Sequence, residues 1–296
     1  MPRSFPESHA RAEGMKRYRV LPGIWDGRPL LLAQQSNGKI APQADTLLKQ
    51  NIVRIRAEVL AQYGATDFNQ KLERFRDSGY LNASIVTEHN RLLLSARDSY
   101  ISGYFYPTLV SACALGERIL NDLVLKMRPH FAGCTKKDIQ KKEAFTNWET
   151  MVDVLREWQI FGDETCKQFI NLKHLRSFSV HYDPDLFSSL ETRAKNALTL
   201  ISEIIHAVFP AMLPERYAIR EIKGESFIKK AAEKDPFIHE YYLPNCIYVG
   251  PRHRITDLRK YPWGFEDEVY PEKEITDEEF AQMIDGRNTA IKTPDK

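Results

Sequence analysis

The side chains best suited to act on a phosphate ester are a guanidinium and an imidazole five positions apart, Arg176 and His181. They stand in the run Asn171-Leu172-Lys173-His174-Leu175-Arg176-Ser177-Phe178-Ser179-Val180-His181-Tyr182-Asp183-Pro184. A neutral imidazole takes up or returns a proton near pH 7, and a guanidinium fork meets two phosphate oxygens while keeping its charge. RNA brings its own nucleophile, the 2′-hydroxyl. Cleavage then needs a base beside that hydroxyl, an acid beside the 5′-oxygen and positive charge over the phosphorane. The spacing alone carries little, because with 8 His in the chain an Arg five to seven places before a His is expected about twice by chance, and it occurs twice. The second instance, Arg3/His9, falls in an N-terminal stretch expected to be disordered and is set aside.

The pair needs a scaffold, and residues 91–213 read as four helices. The first spans 92–127, with Leu109, Ala112, Leu115/Gly116, Ile119, Leu123 and Met127 on one stripe, and Pro107 should kink or restart it. The second covers 144–158, with Phe145, Trp148, Met151/Val152 and Leu155 inward. The third runs from 164 to 181, with Cys166, Phe169, Leu172 and Leu175 inward. Asp183-Pro184 then looks like an N-cap with proline at the first helical position, and the fourth helix carries Leu186, Leu190, Ala197, Leu198, Ile201, Ile205 and Val208. Short connectors between amphipathic helices predict an antiparallel bundle. Residues five apart on a straight helix differ by about 140°. Arg176 and His181 therefore share a face only if the helix ends between them, as the start signal at Pro184 predicts. The next helix would then point its N-terminus toward His181, where the dipole favours a bound phosphate and Asp183 and Asp185 oppose it.

Leu-Arg-Ser-Phe-Ser-Val-His-Tyr at this helix junction resembles the motif region of HEPN domains. The resemblance spans residues 91–213 and includes Glu117 and Asn121, in Gly116-Glu117-Arg118-Ile119-Leu120-Asn121. It implies a mainly α fold, an antiparallel four-helix bundle with mixed α/β extensions at both ends. It also implies a metal-independent endoribonuclease that leaves a 2′,3′-cyclic phosphate and a 5′-hydroxyl. In that role His181 is general base or acid, Arg176 clamps the phosphate, and Glu117 and Asn121 steady the motif. Pairing of two such motifs across a homodimer, and a setting in phage defence or a toxin–antitoxin pair with an antitoxin or regulatory protein as partner, are family implications as well. Nuclease members often carry Asn, Asp or His after the Arg, where this chain has Ser177. That substitution keeps open an alternative, a catalytically silent helical module binding a nucleotide, RNA or a protein. A structural pairing of Arg176 with Glu117 is the plain reading of the same residues.

Basic residues near the motif are Lys167, Lys173 and His174. A denser run, Lys126, Arg128, His130, Lys136, Lys137, Lys141 and Lys142, follows the first helix and could hold an RNA backbone or form a solvated linker. Phe131 and Trp148 beside it are expected in the core. Gly250-Pro251-Arg252-His253-Arg254 is a basic turn that could contact RNA or simply reverse the chain.

The remaining segments are 1–90, a mixed N-terminal region, and 214–296, a C-terminal extension. The first reads as loop and strand to about residue 42, including Leu30-Leu31-Leu32-Ala33, then as helices over Leu47 to Leu60 and near Phe68 to Phe75. The second holds a strand at Cys246-Ile247-Tyr248-Val249. It also carries nine acidic residues against one Lys between Glu266 and Asp285, with Asp277 to Ile284 expected as a solvated surface helix. Apolar residues make up 43% and charged residues 28%, an ordinary globular composition that excludes a filament or a wholly disordered chain. A net charge of +2 announces no nucleic-acid binder by itself. Four cysteines without a CxxC spacing predict reduced thiols and no metal site, and no cofactor motif such as a Walker loop or GxGxxG is present. No apolar leader and no long apolar run are found, so a cytoplasmic protein without a membrane span is expected.

Overall fold

The computed structural model describes residues 13–21, 26–34, 41–80, 84–131, 139, 147–181, 185, 187–257 and 264–291. The protein is mainly helical with small antiparallel sheets. It divides into two compact units, Pro22–Ala211 and Met1–Leu21 with Met212–Lys296. Among the described residues no helix is long and apolar enough to cross a membrane.

The larger unit opens with α1 (Arg28–Ala33), α2 (Pro42–Tyr63) and α3 (Phe68–Asp77). The Leu30-Leu31-Leu32-Ala33 run is thus helical, not strand. A four-residue apolar run has too little periodicity to choose between the two. Here the Asp26 carboxylate accepts from the Arg28 N–H at 3.1 Å, and Pro29 pre-sets the first turn. Ile55 and Val59 of α2, Phe75 of α3 and Ile101 of the next helix make one buried cluster.

The expected long helix is two, α4 (Thr87–Ile101) and α5 (Phe105–Met127). The break comes at Ser102-Gly103-Tyr104, where Gly103 has φ +86°, a backbone conformation that suits glycine. Pro107 follows within the first turn of α5, where its missing N–H has no helical acceptor to lose. The other helices are α6 (Trp148–Glu157), α7 (Asp163–Val180) and α8 (Leu190–Val208). The last starts at Leu190, and the expected cap and first helical position, Asp183 and Pro184, lie outside the described residues. α5 packs against α4, α6, α7 and α8.

Contacts along the helices give their directions. Gln168 near the start of α7 donates to Glu203 late in α8 (3.1 Å), while Arg193 early in α8 lies over the Phe178 ring late in α7 (3.9 Å). These two helices are adjacent and antiparallel. α5 and α7 oppose each other likewise, with the Tyr106 hydroxyl donating to Ser179 O (2.9 Å) and Cys113 Sγ 3.8 Å from Leu172 O.

Gly116 sets how closely α5 approaches α6 and α7. A Cβ there would stand 2.6 Å from Leu172 Cδ2 and 3.1 Å from Trp148 Cη2, and both neighbours are buried. Gly116→Ala would gain about 1 kcal/mol of helix propensity but lose about 1–3 kcal/mol to overpacking. A net destabilisation of about 1 kcal/mol is expected in urea unfolding, opposite in sign to the same change at an exposed helical site.

In the smaller unit β1 (Arg17–Val20) lies between β2 (Ser226–Phe227) and β3 (Ile247–Val249), antiparallel to both, with Arg19 opposite Phe227 and Ile247. Residues 17–20 therefore fold with the C-terminal segment. A hairpin of β4 (Arg254–Asp257) and β5 (Gly264–Glu266) follows, then α9 (Asp277–Ile291). The acidic helix is not simply a solvated face. Phe280 and Ile284, one turn apart, are fully buried with Phe227 and Val249. Buried Arg17 anchors its start, donating to Asp277 at 2.7 Å and to Ile275 O at 2.6 Å. The basic turn after β3 likewise buries one of its candidates, His253, which pairs with Gly250 O and Arg19.

Candidate functional site

The site is built where α7 crosses α5. Side chains on a helix lean toward its N-terminus, so on two antiparallel helices they lean toward each other. Glu117 leans back over Cys113 and Arg176 leans back over Leu172, and the two meet: Arg176 Nε donates to Glu117 Oε2 at 3.0 Å. Their side chains are 35% and 26% exposed, so the pair is neither sealed nor free in solvent. Cys113 lies beneath it. Burial pushes the Cys113 thiol up to about 12, with Arg176 pulling the other way and Glu117 adding to the rise, so the sulfur is an inert part of the floor.

Only Nε of Arg176 is spent on Glu117. Its terminal nitrogens make no further hydrogen bond among the described residues, which leaves the forked end of the guanidinium for two anionic oxygens. Asn121 does not reach the guanidinium. Its amide donates to Glu117 O at 3.0 Å, one turn back on its own helix. The structural pairing and the orienting role of Glu117 are one and the same contact.

α7 keeps its helical path to Val180, and the His181 N–H still donates to Ser177 O at 3.0 Å. The helix ends only at Val180, one residue before His181, so the helical path still sets the Cα position of His181. By helix geometry the two Cα positions differ by about 140° around the axis. His181 is the C-cap, with extended backbone (ψ 153°), and its side chain is exposed. It sits at the negative end of α7, whose dipole favours cations. The expected neighbouring helix N-terminus is displaced, because α8 begins nine residues after His181. The last carbonyls of α7 are taken by Ser179 Oγ, which donates to Arg176 O at 2.8 Å, and by the Tyr106 hydroxyl.

The other sequence candidates scatter. Lys173 is salt-bridged to Glu149 of α6 and holds that carboxylate below its usual range. His174 and Ser177 are exposed. Lys126 pairs with Asp122 at 3.0 Å, and Arg128 donates to Ile139 O at 3.1 Å. Lys136, Lys137, Lys141 and Lys142 lie outside the described residues. Trp148 is buried, and Phe131 stacks on Trp158 with centroids 5.0 Å apart. Among the described residues Cys113, Cys166 and Cys246 are free thiols.

Sequence reading missed the tyrosine of α5. Tyr106 touches the motif helix from 73 residues away, and no local spacing marks it. It also missed an ionic cluster in which part-buried Asp26 and Arg28 meet buried Arg97, beside a cleft of about 770 Å³ that Leu30, Leu94 and Tyr80 also line. None of the residues singled out for catalysis lines that cleft. No family model matches this chain, and no curated protein and no solved structure matches it.

Proposed function

We propose that the protein is a metal-independent endoribonuclease of the HEPN type, with Arg176 as phosphate clamp and His181 as general base or acid. The observation that carries this reading is the state of Arg176. It is held at Nε by Glu117, its forked end has no protein partner among the described residues, and an exposed His181 follows at the end of the same helix. A guanidinium oriented in this way is prepared for the phosphorane before RNA arrives.

The angle between the two positions supports a composite site. One chain offers Arg176 and His181 on different sides of α7, so the imidazole that serves a given phosphate belongs to a second copy across a two-fold axis. Exposed apolar side chains at that end of the bundle, Tyr106, Phe178, Val180 and Phe187, fit such a homodimer. The RNA substrate, the cytoplasmic setting and a defence or toxin role with a restraining partner complete the proposal.

The test is cleavage of total RNA by purified protein in EDTA, beside Arg176→Ala and His181→Ala. Wild-type cleavage that falls at least about a hundredfold in each variant is expected. Products should end in a 2′,3′-cyclic phosphate and a 5′-hydroxyl. Equal cleavage by all three proteins, or none by any, rejects the nuclease. The second outcome supports the silent binding module, which the uninterrupted path of α7 and Ser177 favour.

A further inference from the structure

Two helices present an outer face that the ribonuclease reading leaves without a role. Along α4 and α5 run two adjoining depressions of about 530 and 300 Å³ that share Ser95. Ser95, Ser99 and Ser102 line one side; the Ser99 hydroxyl already donates to Ser95 O at 3.0 Å, which leaves Ser95 and Ser102 as hydroxyl donors. Tyr104 stands at the upper end, 65% exposed. Arg91 and Arg118 stand toward the lower end, both exposed, and neither makes a hydrogen bond or ion pair among the described residues. The acid in the groove, Asp98, already accepts from the Tyr63 hydroxyl at 2.6 Å.

The upper end adjoins the candidate site. Tyr106, two residues after Tyr104, donates to Ser179 on the last turn of α7. From that end α4 carries the groove over 91–102, about 17 Å at the helical rise. That length suits two to three nucleotides of extended strand.

We propose that this groove is a track for single-stranded RNA leading to the Arg176/His181 end of the bundle. Arg91 and Arg118 neutralise phosphates, the Ser95 and Ser102 hydroxyls bond to phosphate or 2′-hydroxyl oxygens, and a base stacks on Tyr104. The track deepens the ribonuclease reading and rests on it for the identity of the strand. Free guanidiniums, hydroxyls and an exposed aromatic ring in one groove match a polyanion with flat bases better than a second copy of this face, which would bring arginine against arginine.

The experiment measures binding of a fluorescent 2′-O-methyl oligoribonucleotide, which lacks the nucleophile and cannot be cut. Binding is followed by anisotropy at several salt concentrations for wild type, Arg91→Glu/Arg118→Glu and Tyr104→Ala, with circular dichroism to confirm the fold. The double charge reversal should weaken binding by at least about tenfold and flatten the logarithmic salt dependence by about 1.4, two single-strand phosphate contacts. Tyr104→Ala should weaken it by about tenfold with the salt dependence unchanged. Unchanged affinity in the folded double variant overturns the track, as does failure of wild type to bind. Sedimentation in which the charge reversal alters self-association marks the face as a protein interface and overturns it too. Cleavage of unmodified RNA is read separately. If wild type cuts RNA but the double variant binds normally, the track fails and the nuclease stands. If charge reversal abolishes binding yet no protein cuts RNA, the track stands and the nuclease fails.

Discussion

Asp26→Ala should destabilise the larger unit by about 3–5 kcal/mol, the cost of leaving a buried charge unpaired. Arg97 is 3% exposed and donates to Asp26 at 2.9 Å, while Arg28 donates to the same carboxylate at 2.9 and 3.0 Å. Both guanidiniums lie over the ring of Phe75, at 4.8 and 5.1 Å, so the pair is locked into the apolar cluster of α2 and α3. Removing the carboxylate leaves Arg97 only its hydrogen bond to Ser78 Oγ at 3.0 Å among the described residues. The check is a fall in the urea midpoint with an unchanged slope. Lys49→Gln, which breaks the exposed pair to Asp45, should change stability by less than about 0.5 kcal/mol and serves as the control. Burial raises the Asp26 carboxyl, but the hydrogen bonds from Arg28 and Arg97 outweigh it and hold the group at about 2. Its folded value lies below the ordinary 3.8, so this stabilisation is complete above that pH and is lost as pH falls from 3.8 through 2.

A second loss should appear earlier on acidification, between pH 6.5 and 4, and should belong to His89. This imidazole is 5% exposed at the start of α4, edge-on to Phe209 with centroids 4.7 Å apart. Ser84 Oγ accepts from the Val86 N–H at 3.0 Å, which leaves its own proton for His89 Nδ1 at 3.2 Å. Protonation of the ring would remove that acceptor and bury a charge. Burial pushes His89 down to about 4 despite Asp122 and Glu88, which pull it up, with Lys126 and Arg118 reinforcing the fall. The unfolded chain takes up the proton near 6.5 and the folded chain only near 4, so stability falls as pH drops through that window and levels below it. The expected loss is about 3 kcal/mol. Urea midpoints measured at pH 7, 5 and 4 should show it in the wild type and lack it in His89→Gln. An equal drop in the variant would assign the acid sensitivity to other groups.

The signals legible along the chain were periodic. The apolar stripe from Leu109 to Met127 and the spacing of Cys166, Phe169 and Leu172 mark helices, because burying one face needs a repeat every three to four residues and that repeat is local. The same locality put Arg176 and His181 near one helix end. It set the start of α8 at Pro184, which lies outside the described residues, and the helix begins at Leu190. It also took Asp277 to Ile284 for a solvated helix, because the charge count hid Phe280 and Ile284 on the opposite side. The tertiary structure alone decided that Glu117 takes one nitrogen of Arg176 from 59 residues away, that Tyr106 covers the last turn of α7, and that Asp26 meets Arg97. Those pairings depend on how antiparallel helices cross and on how closely Gly116 lets them approach. No spacing along the chain encodes that distance, since it is set by side-chain volumes on three helices at once.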